Sequence, residues 1–133
     1  MFWAWDITIT AGTTATSPKE QILKLTKGII TKIDIYFPKG CNGYVKVKLL
    51  RSEFQLVPLS RGEWVTGNGE TIPTETYYEL EETPSQLKFI GISPDAKYDH
   101  TVTVRVQILP KEVATPYIVV REFVSLFKRL IGA

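Results

Sequence analysis

The stretch TVTVRVQIL, residues 101–109, sets Val102, Val104, Val106 and Ile108 on one side of an extended chain. Thr101, Thr103, Arg105 and Gln107 fall on the other. A period of two is that of a strand with one face in a core and one in water. Pro110 stops it, since proline has no N–H to give a ladder. The same period opens the chain, where Trp3, Trp5, Ile7 and Ile9 alternate with Ala4, Asp6 and Thr8. AGTTATSPKE follows, rich in turn formers, and Pro18 closes that first strand.

Between these two segments the pattern recurs. Ile22, Leu23 and Leu25 form a second strand that ends at Lys27-Gly28. Ile29, Thr31, Ile33, Ile35 and Phe37 are expected on one face of a long third strand, with Lys32 and Asp34 opposite. Pro38, Gly40 and Cys41-Asn42-Gly43 break it; Asn-Gly is a hairpin signal because both residues tolerate positive φ. Val45, Val47 and Leu49 alternate with Lys46 and Lys48 in a fourth strand. Phe54–Val57 is a short fifth, and LSRGEWVTGNGETIPT (59–74) is the longest irregular stretch. Strand character returns over residues 76–80 and 87–92.

About eight strands with no helix between them cannot build a parallel βαβ sheet, so the sheets are expected to be antiparallel. Two such sheets face to face bury the alternating residues. The expected fold is an all-β antiparallel sandwich over residues 1–110, jelly-roll-like in its eight strands. A seven-strand immunoglobulin-like sandwich is the alternative, but it lacks here the two cysteines that bracket a core tryptophan.

Composition sets the outer bounds. A chain of 133 residues is one domain in size, and 44% hydrophobic with 23% charged residues is ordinary globular usage. The single cysteine (Cys41) excludes an intrachain disulfide framework, and with one histidine (His100) it excludes a Cys/His zinc site within one chain. No apolar run reaches the roughly 20 residues that cross a bilayer as a helix. The start, MFWAWDITIT, does not read as a signal peptide, so a cytoplasmic location, with any assembly inside the cell, is expected.

Charge is segregated along the chain. Residues 1–52 carry eight Lys/Arg and three Asp/Glu, residues 53–110 four and nine, and residues 111–133 four and two. Lys24, Lys32, Lys46 and Lys48 alternate along strands as on a solvated sheet face, and no concentrated basic patch marks a nucleic-acid binder. Nucleic acid is therefore not an expected partner. The opposed signs would help copies of the chain meet head to tail.

After Pro110 the period changes to that of a helix. Thr115-Pro116 has the form of an N-cap followed by proline at the first helical position. Val119, Val120, Phe123, Val124, Leu126, Phe127, Leu130 and Ile131 then fall in one arc, with Arg121, Glu122, Ser125, Lys128 and Arg129 opposite. This predicts a linker and an amphipathic helix in residues 111–133, about 22 Å of it from Tyr117 to Ile131 at 1.5 Å per residue. Each large side chain on that stripe is worth roughly 1.5–3 kcal/mol when buried, so the stripe needs a surface. Three are open: the chain's own sandwich, a partner or a membrane. Because the sandwich already has its strands, docking on a partner is the reading adopted, through Val120, Phe123, Val124, Phe127, Leu130 and Ile131.

Residues with chemical potential are few. Asp99-His100 sits in a turn with no nucleophile or second acid at recognisable spacing. Glu79, Glu81 and Glu82 straddle a strand end and read as a solvated acidic edge, although glycosidase carboxylate pairs do occur on sandwiches. Asp95 and Asp99 lack the dense Asp/Asn/Gly pattern of a calcium loop, and Gly62, Gly67 and Gly69 do not link a strand to a helix as a phosphate loop does. No catalytic, cofactor or metal residues are assigned, and the chain is expected not to be an enzyme. Trp64, with Arg61 in the long loop and Tyr77 and Tyr78 downstream, is a candidate ligand or interface loop, where an aromatic platform would stack on a sugar. The competing expectation folds Trp64 back to plug one end of the sandwich.

Over residues 3–109 this short all-β domain with an appended arm resembles the single jelly-roll auxiliary or minor capsid proteins of viruses and phages, in architecture. The resemblance implies a non-enzymatic virion component, capsid-associated or part of an appendage. It would assemble symmetrically as a trimer or higher homo-oligomer, docked on other structural proteins. The alternative is a carbohydrate-binding sandwich module using Trp64 and the neighbouring tyrosines.

Overall fold

A computed structural model describes residues 2–110; the expected helix and its six docking residues lie outside the described residues. Eight strands form: β1 (Phe2–Ile9), β2 (Lys19–Lys24), β3 (Gly28–Phe37), β4 (Lys46–Arg51), β5 (Phe54–Val57), β6 (Glu70–Leu80), β7 (Gln86–Ile92) and β8 (His100–Leu109). They make two four-stranded antiparallel sheets, β1-β8-β3-β6 and β2-β7-β4-β5. The expected antiparallel β-sandwich is therefore present.

The pairings nest. β4 pairs with β5, β3 with β6, β2 with β7 and β1 with β8. The chain is thus one long two-stranded ribbon, doubled back at Ser52-Glu53 and rolled so that β8 also pairs β3 and β7 also pairs β4. Ser52, at φ 54°, turns the ribbon at its tip.

Inward residues of both sheets form one core. Ile7, Ile33, Ile35, Val102, Val104 and Val106 from the first sheet meet Leu23, Val47, Leu49, Leu87 and Phe89 from the second, all at most 1% exposed. Ribbon alternation places these side chains, and their burial is the main stabilising term of the fold.

The structure departs from the sequence reading in β3. The register shifts between Ile30 and Lys32, against both β6 and β8. A bulge of this kind moves the alternation by one residue. Ile30, Ile33, Ile35 and Phe37 therefore join the core cluster, while Ile29 is fully buried outside that cluster and Thr31 does not share the core face expected for it. β6 also begins earlier than expected and absorbs Glu70–Ile72 and Pro73 from the supposed long loop. Proline is tolerated there because β6 is an edge strand.

Gly28 opens β3 with no room for a side chain. A Cβ there would lie 2.7 Å from Ile108 Cγ2 and 2.8 Å from the Leu109 carbonyl oxygen. A backbone carbonyl cannot retreat without breaking the β3–β8 ladder, so Gly28→Ala is expected to destabilise the body by about 1–3 kcal/mol. The urea midpoint should fall accordingly; an unchanged midpoint would mean that the strand end yields freely.

Candidate functional site

Two groups of polar and aromatic side chains stand out. The first is built on Gln55, a polar residue in the apolar run Phe54–Val57. Its side chain is buried at 9% exposure. Gln55 Nε2 lies within donating distance of the carbonyls of Pro58 (2.7 Å), Ser60 (3.0 Å) and Glu63 (3.1 Å), while Oε1 accepts from Gly62 N at 3.4 Å. One amide thereby ties the whole first half of the β5–β6 loop to the sandwich. Nothing in the sequence reading pointed to Gln55; the only signal was an amide interrupting an apolar strand.

That anchoring decides where Trp64 goes. Val65 bridges Val47 across a pair of backbone hydrogen bonds, Val47 N to Val65 O at 3.0 Å and Val65 N to Val47 O at 2.8 Å. The neighbouring indole is half-buried, with Lys48 Nζ 4.3 Å from its ring centroid. Lys48 belongs to the outer face of the second sheet, since Val47 and Leu49 point inward. Trp64 therefore lies on the outside of that sheet, in a cation–π contact, and does not plug the end of the sandwich. Arg61 is exposed in the turn closed by Glu63 N to Ser60 O at 3.0 Å.

The tyrosines expected to join Trp64 have other surroundings. Tyr78 points inward from β6, is half-buried against the core, and stacks on Phe54 of β5 with ring centroids 6.1 Å apart and planes at 9°. That stack closes the gap between the β5 and β6 edges of the two sheets. Tyr77, the next residue back, points outward and is 43% exposed. Trp64, Tyr77 and Tyr78 thus occupy three separate settings: outside the second sheet, outside the first, and between the two.

The second group lies where the ribbon doubles back. Arg51, Tyr78, Glu79, Glu81 and Glu82 line an open cavity of about 310 Å³. The Arg51 guanidinium donates to the carbonyls of Glu82 (3.1 Å) and Gln86 (3.4 Å), so it is a strut for the β6–β7 loop. The acidic strand end expected from the sequence is real, and it is braced from behind by a cation.

Asp99 and His100 serve separate purposes. Asp99 Oδ1 accepts from Ala11 N at 2.8 Å and holds the β1–β2 loop, while His100 begins β8 opposite Ile9. Ser93 joins the same junction, donating from Oγ to Thr10 O at 2.8 Å and accepting from Gly12 N at 3.0 Å. Cys41 is buried, and burial pushes its thiol up from the usual cysteine range, so it stays a protonated, weakly nucleophilic group. Among the described residues no three His, Cys, Asp or Glu side chains gather as a metal site, and no helix is long and apolar enough to cross a membrane. Lys24, Lys46 and Lys48 share the outer face of the second sheet with Lys88, whereas Lys32 sits on the other sheet beside Asp34 at 3.8 Å.

No family model matches this chain, and no curated protein matches its sequence.

Proposed function

We propose that this chain is a non-enzymatic structural component of a larger assembly, a capsid-associated or appendage protein of a virion. It self-associates and docks through the amphipathic segment of residues 116–131. The observation that carries the reading is that β1 to β8 close a two-sheet body by Leu109, with one core shared by both sheets. Neither sheet draws a strand from the apolar stripe that follows, and this supports a contact role for the stripe. The nested pairing, in which the first strand meets the last and the innermost two meet each other, supports a jelly roll, a fold used in shells and their fittings. Fold analogy supplies the virion part of this reading.

The body would be a rigid block, and the contacts would come from its appended segment and the Trp-bearing first strand. Sedimentation of the full chain tests this directly: a homo-oligomer, trimer or higher, is expected at micromolar concentration. A monomer at every concentration would overturn it.

Carbohydrate binding is the weaker reading. Lys48 takes one face of the Trp64 ring, and Tyr77 and Tyr78 are not arranged around it. A glycan array is therefore expected to show no binding that depends on Trp64. Binding lost in Trp64→Ala would reinstate the sugar-site reading.

A further inference from the structure

Four strands have an open edge among the described residues: β1 and β6 in the first sheet, β2 and β5 in the second. An open edge offers unpaired N–H and C=O groups to any passing strand, and proteins blunt such edges with charge, proline, bulges or brevity. β6 is blunted by Pro73 and by Glu70, Glu75 and Glu79. β2 carries Lys19, Glu20 and Lys24 among six residues. β5 is four residues long. β1 has none of these devices. It runs eight residues in unbroken register with β8, without proline or glycine, and Asp6 is its one charge. That carboxylate is already engaged by Thr103 Oγ1 at 2.7 Å.

The side chains of β1 also have unmet needs. Phe2 is 60% exposed, and Trp3 and Trp5 are only half-buried where they pack against the core.

We propose that β1 is the seat of a two-fold contact with β1 of a second copy, joining two first sheets into one continuous eight-stranded sheet. This rests on the assembly reading above and adds to the contact made by residues 116–131. The second copy is the occupant because the edge complements itself. In an antiparallel pair, residues directly opposite share a face. With Trp5 opposite its own copy, the two half-buried indoles meet and Ala4 meets Asp6, so no like charges oppose. Isologous two-fold contacts of this sort are the commonest in homo-oligomers.

Ala4 gives a clean test, because it is exposed on the outer face opposite Arg105 and its replacement does not enter the core. Across the two-fold, Ala4→Asp sets a carboxylate against Asp6 of the other copy twice, while Ala4→Asn sets an uncharged amide of the same size there. Sedimentation of the full chain at low salt should show the two-fold contact weakened by at least about tenfold in Ala4→Asp. It should be unchanged to within about threefold in Ala4→Asn, which has the size of aspartate without its charge. Amide exchange along β1 should be slow in wild type and fast in Ala4→Asp. If both variants match wild type, or both weaken alike, the β1 contact is overturned while self-association stands. Fast β1 exchange in an intact wild-type multimer would also overturn it, leaving the edge to a strand of another protein. A wild-type chain that never self-associates removes the assembly reading along with it.

Discussion

Deleting residues 116–133 is expected to abolish docking on the partner, while residues 1–115 should still unfold as one cooperative β domain. The first half of that expectation follows from the apolar stripe. Interface energy concentrates in a few buried aromatic and aliphatic anchors, and the stripe offers Phe123 and Phe127 flanked by Val120, Val124, Leu130 and Ile131. Loss of only two anchors worth roughly 2 kcal/mol each raises a dissociation constant about a thousandfold. The second half follows from the body. Its core draws on strands from Phe2 to Leu109, and every strand except the four edges is paired on both sides. Circular dichroism and sedimentation on the truncated chain decide the matter. A folded product that keeps its native oligomeric state refutes docking by this segment, and a product that no longer folds assigns the segment to the core.

The second large effect is expected at Gln55. Gln55→Leu keeps a similar volume but removes the amide that satisfies the carbonyls of Pro58, Ser60 and Glu63. Leaving buried polar groups without partners costs about 1–3 kcal/mol, because the lost bonds cannot all be remade with water behind a buried strand. For a body of this size a loss of about 2 kcal/mol lowers Tm by roughly 10 °C. The loop should also lose its fixed path, so limited proteolysis is expected to cut between Ser60 and Glu63 far faster than in wild type. Gln55→Glu is a useful companion, since it keeps the shape but turns a donor into an acceptor facing three carbonyls. Unchanged Tm and unchanged cleavage in both variants would show that Gln55 follows the loop instead of holding it.

Much of the body was legible because β-structure writes itself as a period of two. β1, β4, β7 and β8 each bury one set of alternating residues, and Pro or Gly follows closely where β1, β7 and β8 end. Legibility failed where pairing is non-local. The bulge in β3 comes from fitting one strand to two neighbours at once, and no residue within Ile29–Lys32 announces it. The start of β6 was hidden because Glu70–Thr76 is a polar edge strand with a proline, whose pairing with β3 supplies what its composition lacks.

The candidate site was less legible still. Trp64 was recognisable as an exposed-loop aromatic, but its neighbour Lys48 is on a strand that only the fold brings near it. Tyr77 and Tyr78, adjacent in sequence, face opposite ways because strand geometry separates neighbours. Gln55 escaped notice since hydropathy treats an amide within an apolar run as noise, whereas its four backbone partners make it the organiser of a loop.

The rolled ribbon has a bearing on how the molecule is made. Its outermost rung joins residues far apart in the chain, as in the Asp6–Thr103 bond between positions 97 apart. Contacts this distant are slow to form because so much chain entropy is lost before they close. The hairpin of β4 and β5 is local and can zip first, with successive rungs adding outward. A growing polypeptide on the ribosome must therefore hold its amino-terminal strand unmatched until almost the last of the sheet has been translated. Through that interval the tryptophans of that strand are the most sticky part of the nascent chain, and a holding chaperone would find its client there.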